Sequence, residues 1–417
     1  MRLSTVPVLV FLVGGLASQS IWKVSNVPGS GAHFTDLPQA VAVAAPGDSI
    51  WVYGSGGVNG PYMATTIDKG ISIIGFMAGV TPGSNVPSES PLHGHLSIVG
   101  VPAGQRVVVS NFFMNSLSSQ GGAIMVMDCL GSVILEDLYF NSLGIVNQPI
   151  RIERSVDVTL RGCHLEMSGD PLYVIDSSVL ITTGLIQHRD PLPWPFPGYT
   201  TTRETISLQR ANLTISGSIV AAIGAWSLYG YPPRNAVVMD TSTLRISPSS
   251  LVRGGYIPGT PGTTPTSFVP SVAFTGTGPN AVYKDWRTPA ANYGTVPVTT
   301  TWLHETFHDW VVADELFNIR VNGPLGGFAL LALGDYVPWT QSPWGNSLAL
   351  DPMTAFLVGF VPLNAATGNY QWTLHCPSTA LNGHAFALQA LTLSQQGEIG
   401  LTIPSPLTVA WDKDRIP

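Results

Sequence analysis

Arg151, Glu153 and Tyr173 are the side chains in this sequence most able to do chemistry together. They stand at outward positions of two neighbouring alternating runs, PIRIE and PLYVI, whose apolar residues Ile150, Ile152, Leu172 and Val174 point the other way. An arginine can neutralise an anionic ligand, and a glutamate or tyrosine can move a proton. The plainer reading of the same residues is a solvated strand face carrying an ordinary Arg–Glu pair.

A second group is aromatic. HRDPLPWPFPGYTTTRE (188–204), GAWSLYGYPPRN (224–235) and GGYIPGT (254–260) carry Trp194, Phe196, Tyr199, Trp226, Tyr229, Tyr231 and Tyr256. Flat apolar rings with polar rims suit the C–H faces of sugars, so the first six of these residues, Trp194 to Tyr231, are the expected ligand-binding set. The competing expectation is that they pack their own loops. Asp128, Asp176 and Asp240 end equivalent runs and read as turn formers rather than acids of a mechanism. HETFHDW (304–310) has its histidines too close for a zinc-protease helix, and no metal site is expected.

The elements that position these residues repeat. AIMVMDCLGSVILEDLYF from Ala123, PIRIERSVDVTLRGCHLE from Pro149, PLYVIDSSVLITTGLIQ from Pro171, TISLQRANLTISGSIVA from Thr205 and AVVMDTSTLRISPSSLVR from Ala236 superimpose. Each holds two alternating runs, a polar break between them, a turn and a third apolar touch. Period-two alternation means strands with one buried face. The leading positions Ile124, Ile150, Leu172, Ile206 and Val237 recur at intervals of 26, 22, 34 and 31 residues. A constant core with insertions of varying length is the behaviour of a β-solenoid. DSIWVYG, GISIIGF, LSIVGV and RVVVSNFFM read as earlier, weaker turns.

Composition agrees. Charged residues make up 10 % of the 417, against about 25 % in an average domain, while Gly (44) and Pro (34) are abundant. A net charge of −7 without a basic run gives no reason to expect nucleic acid. Residues 1–19 read as a signal peptide, with Arg2 before a short apolar stretch and Gly15 and Ala17 at the cleavage region. No later stretch is apolar for long enough to span a bilayer. Cys129, Cys163 and Cys376 cannot all pair internally, and Cys163 falls at a core position of the repeat.

FTDLPQAVAVAAPGDSIWVYG, followed by YMATTIDKGISIIG, resembles the opening of secreted right-handed parallel β-helix proteins of the pectin-lyase-like superfamily. The resemblance covers roughly residues 33–290. It implies an amphipathic helix near Leu37 to Ala45 capping the coil stack, and an all-β solenoid that hosts lyases, hydrolases and non-enzymes alike. It also implies that substrate would lie on the first-strand face, where Arg151 would meet a uronate carboxylate. The motifs of the family's enzymes are missing: no carboxylate cluster to hold calcium, no Asn-Thr-Asp, no Gly-His-Gly. His93-Gly94-His95 is only an echo of the last. No cofactor is expected.

After GGYIPGTPGTTPTSFVP the pattern changes to short runs with Gly, Pro and Asn between them, predicting a small C-terminal β-sandwich over 291–417 after a β-helix over 20–290. LVGFVPL, GHAFALQALTL and LTIPSPLTVAW resemble a C-terminal module of secreted planctomycete-type bacterial proteins. Two functions remain open. One is an exported, secreted or cell-surface protein without catalysis that binds polysaccharide or cell-envelope glycan, or serves as a structural component there. The other is a polysaccharide lyase or glycoside hydrolase acting on an acidic polysaccharide.

Overall fold

The computed structural model describes residues 20–54, 61–76, 91–114, 124–142, 150–167, 171–188, 204–222, 235–254, 274–285, 296–301, 305–308, 316–341, 347–350, 354–376, 385–403 and 405–408. Two compact units divide them, one over 20–301 and one after 302.

The first unit is a parallel β-helix with three sheets. One complete coil shows the plan: Ile124–Met127 belongs to the first sheet, Ser132–Glu136 to the second and Tyr139–Ser142 to the third. The next coil repeats it with Ile150–Glu153, Asp157–Arg161 and His164–Met167, each strand pairing in parallel with its counterpart. Among the described residues the sheets hold eight, eleven and eight strands. Ile124, Ile150, Leu172, Ile206 and Val237 stack in one register column, as the repeat predicts.

The core follows from the alternation. Val126, Ile152 and Val174 of the first sheet, Leu135 and Leu160 of the second, and Phe140 and Leu165 of the third are fully buried in a single cluster. Burying each such side chain stabilises the coil by about 1.5–3 kcal/mol. Cys129 and Cys163 belong to this cluster as small apolar side chains, and both thiols are unpaired. At the N-terminal end the helix Leu37–Val43 packs Leu37, Ala40 and Val41 into the cluster. Asp36 caps it, its carboxylate accepting from the Leu37 amide at 2.8 Å and from Met63 at 2.9 Å. The fold expected from the sequence, an all-β right-handed parallel β-helix with a helical cap and a further β unit, is the one observed.

The corners differ sharply. Between first and second strands the chain turns on one left-handed residue: Asp128, Arg154, Asp176, Arg210 and Thr241 all have φ between 48° and 55° or close to it, Arg154 lying at 46°. Ladder bonds continue through this turn, as from Asp128 N to Glu153 O (3.1 Å) and Asp176 N to Gln209 O (2.9 Å). Inside the turn a hydroxyl column adds more. Ser155 Oγ donates to Glu153 O (2.9 Å) and accepts from Cys129 N (3.3 Å), and Ser177 Oγ repeats both contacts one coil on. Between second and third strands the left-handed residues are Asn111, Asp137, Gly162, Thr183 and Gly217. The third-to-first connections are short in the first two coils, at 64–65 and 94–95, where the long connections 54–61 and 77–90 lie between second and third strands. From Met114 onward the long ones are third-to-first, containing 115–123, 143–149, 189–203, 223–234 and 255–273, while 168–171 is short.

In the second unit Glu305–His308, Leu316–Asn322 and Asn369–His375 form one antiparallel sheet. A larger one is built on Phe328–Gln341 and Ala385–Leu393. Phe317, Ile319, Val321 and Trp372 from the first meet Leu331, Leu333, Leu388 and Ala390 from the second in one buried cluster. Two antiparallel sheets sharing one buried cluster are compatible with the expected sandwich. The strand Glu305–His308 takes up part of HETFHDW, so the helix a zinc-protease motif needs is not formed there.

Candidate functional site

The first-sheet face brings Arg151, Glu153 and Tyr173 together. Register pairs Arg151 with Tyr173 on the next coil, and the guanidinium lies over the phenol ring at 5.5 Å from its centroid. Two residues along the same strand, Glu153 accepts from Arg151 through Oε1 and from Arg154 Nη1 through Oε2, the latter at 3.1 Å. With both oxygens taken by guanidinium groups, Glu153 is only 7 % exposed. A carboxylate so engaged is a fixed acceptor, and charge-assisted pairing of this kind orients side chains more than it moves protons. Around it the outward positions are Met125, Met127, Ser207 and Gln209.

Arg154 ties this patch to the corner beside it. It donates through Nε and Nη2 to the two oxygens of Asp128 on the preceding coil, at 2.6 and 3.0 Å. Arg210 holds Asp176 in the same bidentate way, at 2.7 Å on each side. Both carboxylates are held below the usual Asp range, first by these hydrogen bonds and then by the guanidinium charge. Acid and base thus alternate coil by coil along one edge. Asp240 does not continue the column: it pairs with Gln209 and Thr277, one place earlier, and Thr241 takes the left-handed position. The Met-Asp dipeptide shared by VMD at 126–128 and VMD at 238–240 suggests a correspondence that the register shifts by one residue.

A different set of acids lies at the second corner, where the repeat pattern drew no attention. Glu136 and Arg161 end adjacent strands of the second sheet, pair in register and form a salt bridge through Oε1 and Nη1 with side chains 3 % and 5 % exposed. Asp137, the next residue, turns at φ 48° and sets its Oδ1 against Gly162, where a Cβ would overlap it. Its Oδ2 is buried without a hydrogen-bond partner. Burial first, and the Glu136 charge second, push this carboxyl up to about 8, with Arg161 opposing them. Beyond the corner the rings of Tyr139 and His164 meet at 4.7 Å between centroids, tilted by 35°, on the outward side of the third sheet. The repeat alignment already sets Glu136 over Arg161 and Asp137 over Gly162, so the signal was present in the sequence. It was masked because strand-end polar residues read as solvated.

Trp194, Phe196, Tyr199, Trp226, Tyr229, Tyr231 and Tyr256 lie outside the described residues. What is described are the strands on either side. Leu185–His188 of the third sheet precedes 189–203 and Ile206–Gln209 of the first follows it, while Ile219–Ala221 and Val237–Asp240 flank 223–234. Among the described residues no group of three His, Cys, Asp or Glu side chains is gathered in the way a metal ion requires, and no helix is long and apolar enough to cross a membrane.

No protein-family model matches the chain, and no curated protein matches it. Among solved structures, the tailspike protein of the Acinetobacter baumannii bacteriophage Fri1, a capsular polysaccharide depolymerase, aligns over 88 % of this chain and 74 % of its own. The identity is 8 % and the TM-score 0.24, a likeness too slight to bear on what this chain does. The coil stack itself, read from strand register, is what establishes the parallel β-helix.

Proposed function

We propose that this chain is an exported parallel β-helix protein that binds a glycan along the edge where third strands connect to first strands, and that it does not cleave it. The observation that carries the reading is that, from Met114 onward and with 168–171 excepted, the long connections leave at this one corner, with six of the aromatic residues falling in the connections after Leu185–His188 and after Ile219–Ala221. Stacked coils repeat about every 4.8 Å, so neighbouring connections leave from sites close enough to meet one extended polymer. Sugar recognition calls for flat apolar rings with polar rims, and these segments supply them.

The engagement of Glu153 by two arginines supports binding over turnover at the first-sheet face. Inverting hydrolysis needs an acid and a base on opposite sides of the bond, about 6.5–9.5 Å apart, and the described outward residues of that face supply Glu153 alone near Arg151 and Tyr173. A leader over 1–19 with surface or extracellular residence completes the proposal. Polysaccharide retention measured alongside release of reducing or unsaturated ends tests it: retention with no shortening of the polymer is expected. Cleavage of a polyuronate would instead favour a lyase or hydrolase using Arg151 and Glu153.

A further inference from the structure

Two carboxyl groups and one guanidinium meet at the corner between the second and third sheets. Glu136 and Arg161 satisfy each other as a buried pair. Asp137 is left beside them with Oδ2 enclosed and without a hydrogen-bond partner. Among the described residues the other titratable groups beside it in sequence and register are few. On its own coil Tyr139 follows; on the next coil come Arg161, the Cys163 thiol and His164; on the preceding coil the equivalent corner residue is Asn111, which carries no charge. Asp157 is engaged at the far end of these strands, accepting from Ser132 Oγ at 2.6 Å. Among the described residues Arg161 is the cation that opposes the charge of both carboxyls here, and an enclosed carboxylate oxygen without a donor is far costlier than an enclosed neutral acid.

We propose that Glu136, Asp137, Arg161 and Gly162 form a proton-sensitive joint between adjacent coils, in which Asp137 is a neutral acid while the corner is closed and its ionisation weakens the stacking of 124–142 on 150–167. Gly162 is part of the device, since the Asp137 carboxyl occupies the space a side chain there would fill. The direction of the effect follows from linkage. The folded protein keeps the proton up to about 8, whereas an unfolded Asp releases it near about 4. Between those values the unfolded state binds fewer protons, so stability from this group is complete below about pH 4 and is lost as pH rises to about 8. The coils joined here precede the connections 143–149 and 168–170, so the joint makes this edge of the solenoid responsive to pH.

The test uses the full chain and two readouts. Infrared difference spectra should show a protonated-carboxyl C=O band at pH 7 that disappears as pH passes about 8, and Asp137→Asn should lack it. The unfolding midpoint of the wild type should fall across pH 5 to 8 more steeply than that of Asp137→Asn, leaving the variant several degrees higher at pH 8. Absence of the band at pH 7, or identical pH profiles for the two proteins, would overturn the proposal. Should Asp137→Asn fail to fold, the wild-type band alone decides.

Discussion

Arg154 grips Asp128 of the preceding coil through two parallel hydrogen bonds, and both residues are held in left-handed backbone conformation. The side chains therefore leave equivalent corners in the same direction and meet one strand spacing apart, which is why the acid and base alternate along this edge. The contact is solvent-exposed, each side chain being 49 % accessible. Such pairs contribute little in isolation and are weakened by salt.

The first prediction concerns acid. Asp128 is held below the ordinary carboxylate range by Arg154, so its contribution is present above that range and is lost as pH falls through its folded value. Asp128→Asn should lower the unfolding midpoint slightly near neutral pH and converge with the wild type in strong acid. Thermal melts from pH 2 to 7 check this, and 1 M salt should shrink the neutral-pH difference. A gap that widens in acid would contradict the assignment.

Gly162 and Gly217 separate two effects at the second corner. Both have positive φ, but a Cβ on Gly217 meets Ser249 Oγ at an ordinary 3.6 Å, whereas one on Gly162 runs into the Asp137 carboxyl. Gly217→Ala should cost about 1–2 kcal/mol from backbone conformation. Gly162→Ala should cost more, about 2–4 kcal/mol, as a buried group is displaced too. Denaturant midpoints at constant slope measure the difference, and equal losses would show that the Asp137 contact is inconsequential.

The hydroxyl column at the first corner makes a third case. Ser155→Ala removes the partner of the Cys129 amide and leaves that buried N–H without a bond. A loss of about 1–3 kcal/mol is expected, with amide exchange at Cys129 accelerating beyond the global change. Unchanged exchange at Cys129 would mean that the amide finds another acceptor.

Much of the solenoid was legible because its signal is local. Ile150, Ile152, Leu172 and Val174 alternate with polar residues, and alternation fixes both the buried face and the register. Cys163 was assigned to the core on the same ground and lies there at 1 % exposure. The second sheet was harder, since Ile134, Thr159 and Leu180 are buried on its outward side as well, and a strand buried on both faces loses its alternation. That same withdrawal from solvent hid Glu136 and Arg161, which look like surface charges in the sequence. Asp240 ends its strand one place before the corner that Asp128 and Asp176 occupy, and counting from Val237 in step with Ile124 puts Thr241 there instead. The patch of Arg151, Glu153 and Tyr173 was legible as a juxtaposition, but Arg154 was not seen as part of it, because a left-handed corner residue has no signature in a strand pattern.

The most direct measurement is polysaccharide binding by the wild type, a Trp194→Ala/Trp226→Ala variant and Arg151→Ala, with the length of the polymer followed in the same samples. Binding without shortening, weakened at least tenfold by the tryptophan substitutions and little changed by Arg151→Ala, is the predicted result. Shortening of the polymer that disappears in Arg151→Ala, with the tryptophan variant still active, would contradict the account.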